Sequence, residues 1–375
     1  MDFLHRTWAE IDLDALAHNF EIIKEKAKGA KIYSVVKADG YGHGLEDVVK
    51  TLLSCGTDAF AVSNIEEALE VRSIDKNIPI LILGYTPHSF AKVLAENDIT
   101  QAIYSLPLAE KLSESAKSSG VKVKFHLKLD TGMGRIGFDC RSDDINAKQE
   151  ILSVLKLDNL IFDGIFTHFA SSDKDGDEDF HFTKSQITRF NKTVDIVKNA
   201  GFSPRVCHCH NSAALFSEES RFDACRPGII LYGLSPMEND DTPFVPVMTL
   251  KSVVSFVKTV KKGETISYGR TFTAKSDMKI ATVTAGYGDG YPRSLSNNGY
   301  VLVNGQKAFI VGRVCMDQFC IDVTHIESIT EGDEVILFGK ELPVSDVAKI
   351  ANTIHYEIVC GISKRVPRIV LKKDN

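Results

Sequence analysis

The chain has 375 residues, more than one ordinary hydrophobic core and about right for two domains. Its 43% hydrophobic and 25% charged residues are ordinary for a globular protein and exclude long disordered stretches. A net charge of −6 supplies no basic face for nucleic acid or an anionic membrane, so neither is expected as a partner. The basic doublets Lys261-Lys262 and Lys372-Lys373 read as solvated surface. The opening MDFLHRTWAEIDLD has no apolar signal-peptide core, and no apolar run approaches the roughly 20 residues of a membrane span. The expectation is a cytoplasmic protein whose eight cysteines are reduced thiols.

The first helix is expected at Asp14–Lys28. From residue 31 to about 232, short β-rich runs then alternate with helical stretches. The runs are KIYSVV (31–36), DAFAVS (58–63), IPILILG (78–84), ITQAIYS (99–105), VKVKFHLKLD (121–130), LIFDGIFTHF (160–169), PRVCHCH (204–210) and FDACRPGIILYG (222–233). Between them, segments such as GLEDVVKTLLSCG and NIEEALEVRSI place apolar residues three and four apart. Eight strands in βα alternation is the count of a closed parallel barrel. A doubly wound open sheet would have fewer strands and a GxGxxG loop, which is absent. After Pro243 the long helical patterns stop. Runs such as KIATVTAG, GYVLVNGQKAFIVGRV and GDEVILFG replace them, with Asn304-Gly305 reading as a hairpin turn. The expected architecture is a TIM-like (β/α)8 barrel over residues 10–240 and a β-strand domain over 241–375, joined by residues 1–9.

The sharpest chemical feature is IYSVVKADGYGHG. Lys37 sits at the tip of the first barrel strand, before a glycine-rich turn, and barrel strand tips are where catalytic residues gather. A lysine in a dry strand end has a lowered pKa and forms imines. A lone lysine there would more often be a surface residue, and this is no phosphate-binding P-loop, which places its lysine after the glycines. Cys207-His208-Cys209-His210 looks like a metal cluster, but strand alternation sends the cysteines to one face and the histidines to the other. Four adjacent ligands on a strand cannot surround one ion, so no metal is expected.

The segment Val36–Gly44 resembles the cofactor-lysine signature of the alanine racemase family. The resemblance continues in order through LDTGMGRIGF (129–138), FTHFA (166–170), NSAA (211–214), RPGI (226–229), ISYGRTFTA (266–274), GYGDGYPR (286–293), VGRVCMDQ (311–318) and ISKRVPR (362–368). It thus covers the chain from Thr7-Trp8-Ala9-Glu10-Ile11 almost to its end. Cys209 and His210 depart from it, since the family has small residues there, and Asp39-Gly40 is a milder variation.

The resemblance implies pyridoxal 5′-phosphate (PLP), two bases on opposite faces of its ring, and interconversion of L- and D-alanine that supplies D-alanine for peptidoglycan. Lys37 is similar to the imine lysine and the base for the D-enantiomer, and Tyr268 to the base for the L-enantiomer. His168 corresponds to a histidine that contacts this tyrosine and Arg226. Arg226 resembles the residue facing the pyridine nitrogen. Arginine stays protonated and cannot give a proton to the ring, which leaves a weak electron sink and favours racemisation over transamination. Tyr41, Asn211, Ser212, Gly228, Ile229 and Tyr356 match the cofactor's phosphate cradle and its surroundings. Arg135 and the backbone of Met316 match the substrate-carboxylate site, and Lys128 a lysine that is often carbamylated in relatives. The family arrangement is a head-to-tail homodimer with shared active sites. Alternatives are a serine or broad-specificity racemase of the same build, a barrel-type PLP decarboxylase, or a non-catalytic PLP-binding protein. The bulk of Tyr356 speaks against the first, LDTGMGRIGF and RPGI against the second, and the β-domain with its Tyr268 segment against the third.

Overall fold

In the computed structural model, described for residues 6–142, 145–173, 176–217, 222–237 and 242–371, the chain builds two large sheets and one two-stranded hairpin. Lys372-Lys373 lies outside the described residues. Strand β1 (Thr7–Asp12) comes first, and its last residue caps the next helix: the Ala15 N–H donates to Asp12 Oδ1 at 2.9 Å. That helix runs Leu13–Ala27 and buries Leu16, Phe20 and Ile23 along one side.

Eight parallel strands follow: β2 (Lys31–Val35), β3 (Ala59–Val62), β4 (Ile80–Ile82), β5 (Ile99–Ile103), β6 (Val123–Asp130), β7 (Leu160–Phe166), β8 (Val206–His208) and β9 (Ala224–Cys225). Each pairs with the next, and β9 pairs back onto β2, which closes the barrel. Ala59–Val62 and Ile99–Ile103 are buried at every position, because barrel interior lies on one side and helices on the other. Each of the eight expected runs contains a strand shorter than the run, and the last, 222–233, keeps only Ala224–Cys225 as strand, with Ile229–Tyr232 in a single helical turn.

The second sheet contains β10 (Met248–Val260), β11 (Met278–Val283), β12 (Tyr300–Val303), β13 (Gln306–Val311), β14 (Phe319–Asp322), β15 (Glu334–Phe338) and β16 (Arg368–Leu371). Its order is β11-β14-β13-β12-β15-β10-β1-β16, and β11 also pairs with β10. The N-terminal strand β1 thus lies between β10 and β16, which ties both ends of the chain into one sheet. Asn304 and Gly305, at φ 52° and 71°, make the tight turn between β12 and β13. Two short helices, Val344–Ala351 and His355–Gly361, interrupt the β-domain where only strands were expected. No helix among the described residues is long and apolar enough to cross a membrane.

Candidate active site

The site begins at the end of β2. After Lys37 the backbone enters a left-handed turn, with φ between 52° and 58° at Ala38, Asp39, Gly40 and Tyr41. Only one of the four is glycine, and each L-residue in this region costs about 1–2 kcal/mol. Hydrogen bonds hold the turn: Gly40 N to Val36 O at 3.0 Å, Gly42 N to Ala38 O at 2.8 Å, and Leu45 N to Asp39 Oδ1 at 2.8 Å. Glu67, on the next βα unit, accepts the Ala38 N–H on one carboxylate oxygen (2.8 Å) and the Ser63 N–H on the other (2.7 Å). Strain of this kind persists where the surroundings over-determine it, and here it aims one lysine.

Lys37 opens into a cavity of about 570 Å³, within the range of cofactor sites. Tyr41, His168, Asn211, Ser212, Arg226, Gly228, Ile229 and Tyr356 also line it. A second cavity of about 270 Å³ shares Lys37, His168 and Arg226 and adds Lys128 and Arg135. Burial lowers the Lys37 amine from its ordinary value and the Arg135 cation lowers it further, against Cys360 and Glu67. Lys128 is pushed down to about 7, by burial first and then by the Arg226 cation. The same cations and burial hold His168 well below its usual value, hence neutral.

Arg226 follows β9 and is 3% exposed. One Nη donates to His208 Nδ1 at 2.6 Å. The other donates to Thr167 O (2.7 Å) and Cys209 O (3.0 Å) and reaches His168 Nδ1 at 3.4 Å. These partners are all neutral. Burial lowers the guanidinium to about 10, which leaves it charged at neutral pH.

At another part of the wall Ser212 Oγ accepts the Gly228 N–H at 2.9 Å. The Asn211 side chain caps the short turn after it, accepting the Ala214 N–H at 3.0 Å. A β-carbon on residue 228 would sit 2.6 Å from the Tyr41 hydroxyl, so only glycine fits. The Tyr41 and Tyr356 rings stand 6.3 Å apart. Tyr356 reaches the barrel mouth on the helix His355–Gly361 of the β-domain.

Matches to family models cover most of the chain: "Alanine racemase, N-terminal domain" over residues 11–236 and "Alanine racemase, C-terminal domain" over 247–370. The chain belongs to the alanine racemase family. It is 42% identical over 373 residues to alanine racemase 1 of Clostridium acetobutylicum, covering 97% of this chain and 95% of that one. The alanine racemase of Clostridium difficile 630 superposes with a TM-score of 0.92 at 40% identity, over 99% of this chain and 97% of that one. An alanine racemase from Bartonella henselae, solved with covalently bound pyridoxal phosphate, superposes with a TM-score of 0.88 at 28% identity, over 98% and 99% of the two chains. An alanine racemase is an isomerase: it interconverts the L- and D-enantiomers of alanine. Both a barrel and a β-domain belong to the family, and this chain has both.

The racemase fold gathers eleven of the residues singled out from sequence at one barrel mouth: Lys37, Tyr41, Lys128, Arg135, His168, Asn211, Ser212, Arg226, Gly228, Ile229 and Tyr356. Tyr268 and Met316 stand apart. They line neither cavity and are 73% and 53% exposed on the β-domain. Sequence reasoning missed Glu67, whose only signal was its place behind the Asn64 N-cap, and it weighed His208 only as part of the metal-like Cys207–His210 run. The His208 ring lies inside the barrel against Tyr33, Phe166 and His126, whereas the His210 ring packs on Phe169 and Phe222.

Proposed function

We propose that this alanine racemase works with PLP held covalently at Lys37, in a site shared between two copies of the chain. The donor set fits the group. Ser212, the Gly228 and Ile229 backbone and the Tyr41 and Tyr356 hydroxyls offer neutral donors for a phosphate, with Asn211 bracing that wall. Arg226 offers a cation for a ring nitrogen, and Lys37 a desolvated amine. Bound PLP withdraws electrons from the substrate's α-carbon and so acidifies its α-hydrogen.

The chain's own groups do the rest. Lys37 takes or returns the proton on one face, and the partner subunit's Tyr268 does so on the other. His168, neutral and beside Arg226, lines the cavity that this tyrosine would enter. Arg226 keeps its charge and donates no proton to the ring, which keeps the electron sink weak. Arg135 and the partner subunit's Met316 backbone hold the substrate carboxylate. The domain division at 240/241, with residues 1–9 in the β-domain, is part of this reading. So are residence in the cytoplasm and a supply of D-alanine for peptidoglycan.

The observation that carries the reading is the convergence of Lys37, Arg226 and the Ser212–Gly228 cradle on one cavity. Purified protein loaded with PLP should absorb in the visible range, and borohydride should fix the cofactor on the peptide containing Lys37. Lys37→Ala should lose the band, the labelled peptide and the exchange between L- and D-alanine. A Lys37→Ala protein that keeps near-normal racemisation would sink the assignment.

A further inference from the structure

A polar chain crosses the interior of the barrel, where branched aliphatic side chains are the rule. It starts at Arg226, whose Nη1 donates to His208 Nδ1 at 2.6 Å. His208 Nε2 and His126 Nδ1 are 2.9 Å apart. His126 Nε2 and Asp163 Oδ2 are 3.3 Å apart. Asp163 is gripped from outside by Arg205, with Nε–Oδ1 at 2.8 Å and Nη2–Oδ2 at 2.9 Å. Arg226, His208 and His126 are buried at 3%, 0% and 1% exposure, while the Arg205 side chain is 63% exposed. The chain therefore links the mouth to an ion pair whose arginine is exposed just before β8.

The backbone is adapted to it. Phe125 of β6 pairs with Phe162 of β7, but His126 pairs with Gly164, which makes Asp163 the extra residue of a bulge. Bulges re-aim side chains, and this one leaves Asp163 against the His126 ring. Gly164 then clears space, since a β-carbon there would stand 2.7 Å from His126 Nε2. Phe166 stacks on His208 with ring centroids 4.8 Å apart and planes within 2°, and the Arg226 guanidinium lies 5.2 Å over the same ring.

Proton placement along this chain is fixed from its ends. A guanidinium only donates and a carboxylate only accepts. His208 Nδ1 must accept from Arg226, so its proton sits on Nε2. His126 Nδ1 must accept that proton, so its own sits on Nε2 and goes to Asp163. Either ring in the other tautomer would set two donors face to face in the buried core. Burial and the Arg226 cation push both imidazoles below their ordinary value, which keeps them neutral. Burial opposes ionisation of Asp163, but hydrogen bonds from His126 and Arg205 hold its carboxyl well below the usual range.

We infer that His126 and Asp163 are positioning residues for Arg226: through the barrel core they fix His208 as a pure acceptor and thereby the orientation of the guanidinium at the mouth. Neither residue touches the reacting atoms. The inference rests on the reading of Arg226 as the group facing the cofactor's ring nitrogen. An Arg226 that keeps its place limits the side reaction in which substrate amino group and two electrons pass to the cofactor and water supplies the keto oxygen.

The test uses PLP-loaded enzyme with 15N-labelled histidines. Nitrogen shifts should show His126 and His208 neutral and protonated on Nε2. Asp163→Asn should populate the Nδ1–H form of His126 and raise keto acid formed per racemisation several-fold, with a smaller change in KM than in kcat; Asp163→Glu should restore part of both. Arg226→Lys is the separating arm. If Arg226→Lys leaves the keto-acid ratio unchanged, the reading of Arg226 fails. If Arg226→Lys raises it and folded Asp163→Asn does not, the positioning role is overturned. Should Asp163→Asn not fold, the wild-type spectrum still decides, because an Nδ1–H or doubly protonated ring at either position overturns the chain.

Discussion

Arg226 Cζ and Lys128 Nζ lie over one aromatic ring, at 5.2 and 5.3 Å from the centre of Phe166. Their burial is alike, at 3% exposure each, but their proton affinities differ. The guanidinium stays charged because delocalisation keeps its affinity high, even lowered to about 10. The ammonium has no such reserve, and burial with Arg226 and Arg135 nearby brings it to about 7. A good fraction of Lys128 is then a free amine at neutral pH. An amine adds to carbon dioxide, releasing a proton and leaving a carbamate anion between cations that now favour it. Lys128 is therefore expected to be carbamylated. Enzyme equilibrated with 13C-bicarbonate should show a carbamate carbon resonance that Lys128→Arg abolishes. No such resonance in the wild-type protein, at neutral pH and with its cofactor in place, would refute the modification.

At the scale of elements, the contact between the Lys37 turn and the helix His355–Gly361 couples the two domains. Gly42 ends the turn at φ 81°, and a β-carbon there would lie 2.2 Å from Val359 O on that helix. Gly42→Ala should destabilise the protein by roughly 2–5 kcal/mol, from left-handed strain plus overpacking. Because the displaced helix carries Tyr356, PLP affinity should fall as well. Chemical denaturation and cofactor titration would check both, and an unchanged midpoint would show that the helix simply moves aside. The sequence made the eight strands legible through their spacing, and the motif at Lys37 made most of the mouth legible. It did not reveal the left-handed turn, because Ala38 and Tyr41 carry no signal for positive φ and Asp39 alone is a weak one. Nor did it reveal the partner of His208, since His126 lies 82 positions earlier and only barrel closure brings the rings together. The helix Val344–Ala351 was written in the sequence, with Val344, Val347, Ala348 and Ala351 buried on one side. Its eight residues are too short to stand out from the β-rich runs on either side.

In the whole molecule, the mouth at Lys37 is built by the barrel with one wall from the helix His355–Gly361, while Tyr268 and Met316 stand exposed elsewhere on the β-domain. Tyr268 sits in a short hairpin between Thr265–Ile266 and Phe272–Thr273, held where Ser267 Oγ donates to Arg313 O at 2.9 Å. Tyr287 and Ile354 add exposed apolar surface, at 44% and 60%. A proton removed on one face of a planar cofactor must be replaced on the other, so the proposed role of Lys37 calls for a second base opposite it. In a two-fold pair, the β-domain of each chain can dock on the mouth of the other and form two identical sites. Each would combine Lys37 of one subunit with Tyr268 of its partner. Lys37→Ala and Tyr268→Phe proteins should each be inactive. After subunit exchange at equal amounts, half of the dimers are mixed, and each mixed dimer has one site with both defects and one with neither. Racemisation should therefore return to about a quarter of the wild-type level per subunit. Exchange can be followed separately by mass-labelling one variant. Confirmed exchange without recovered activity would place both bases on one chain and overturn the shared site.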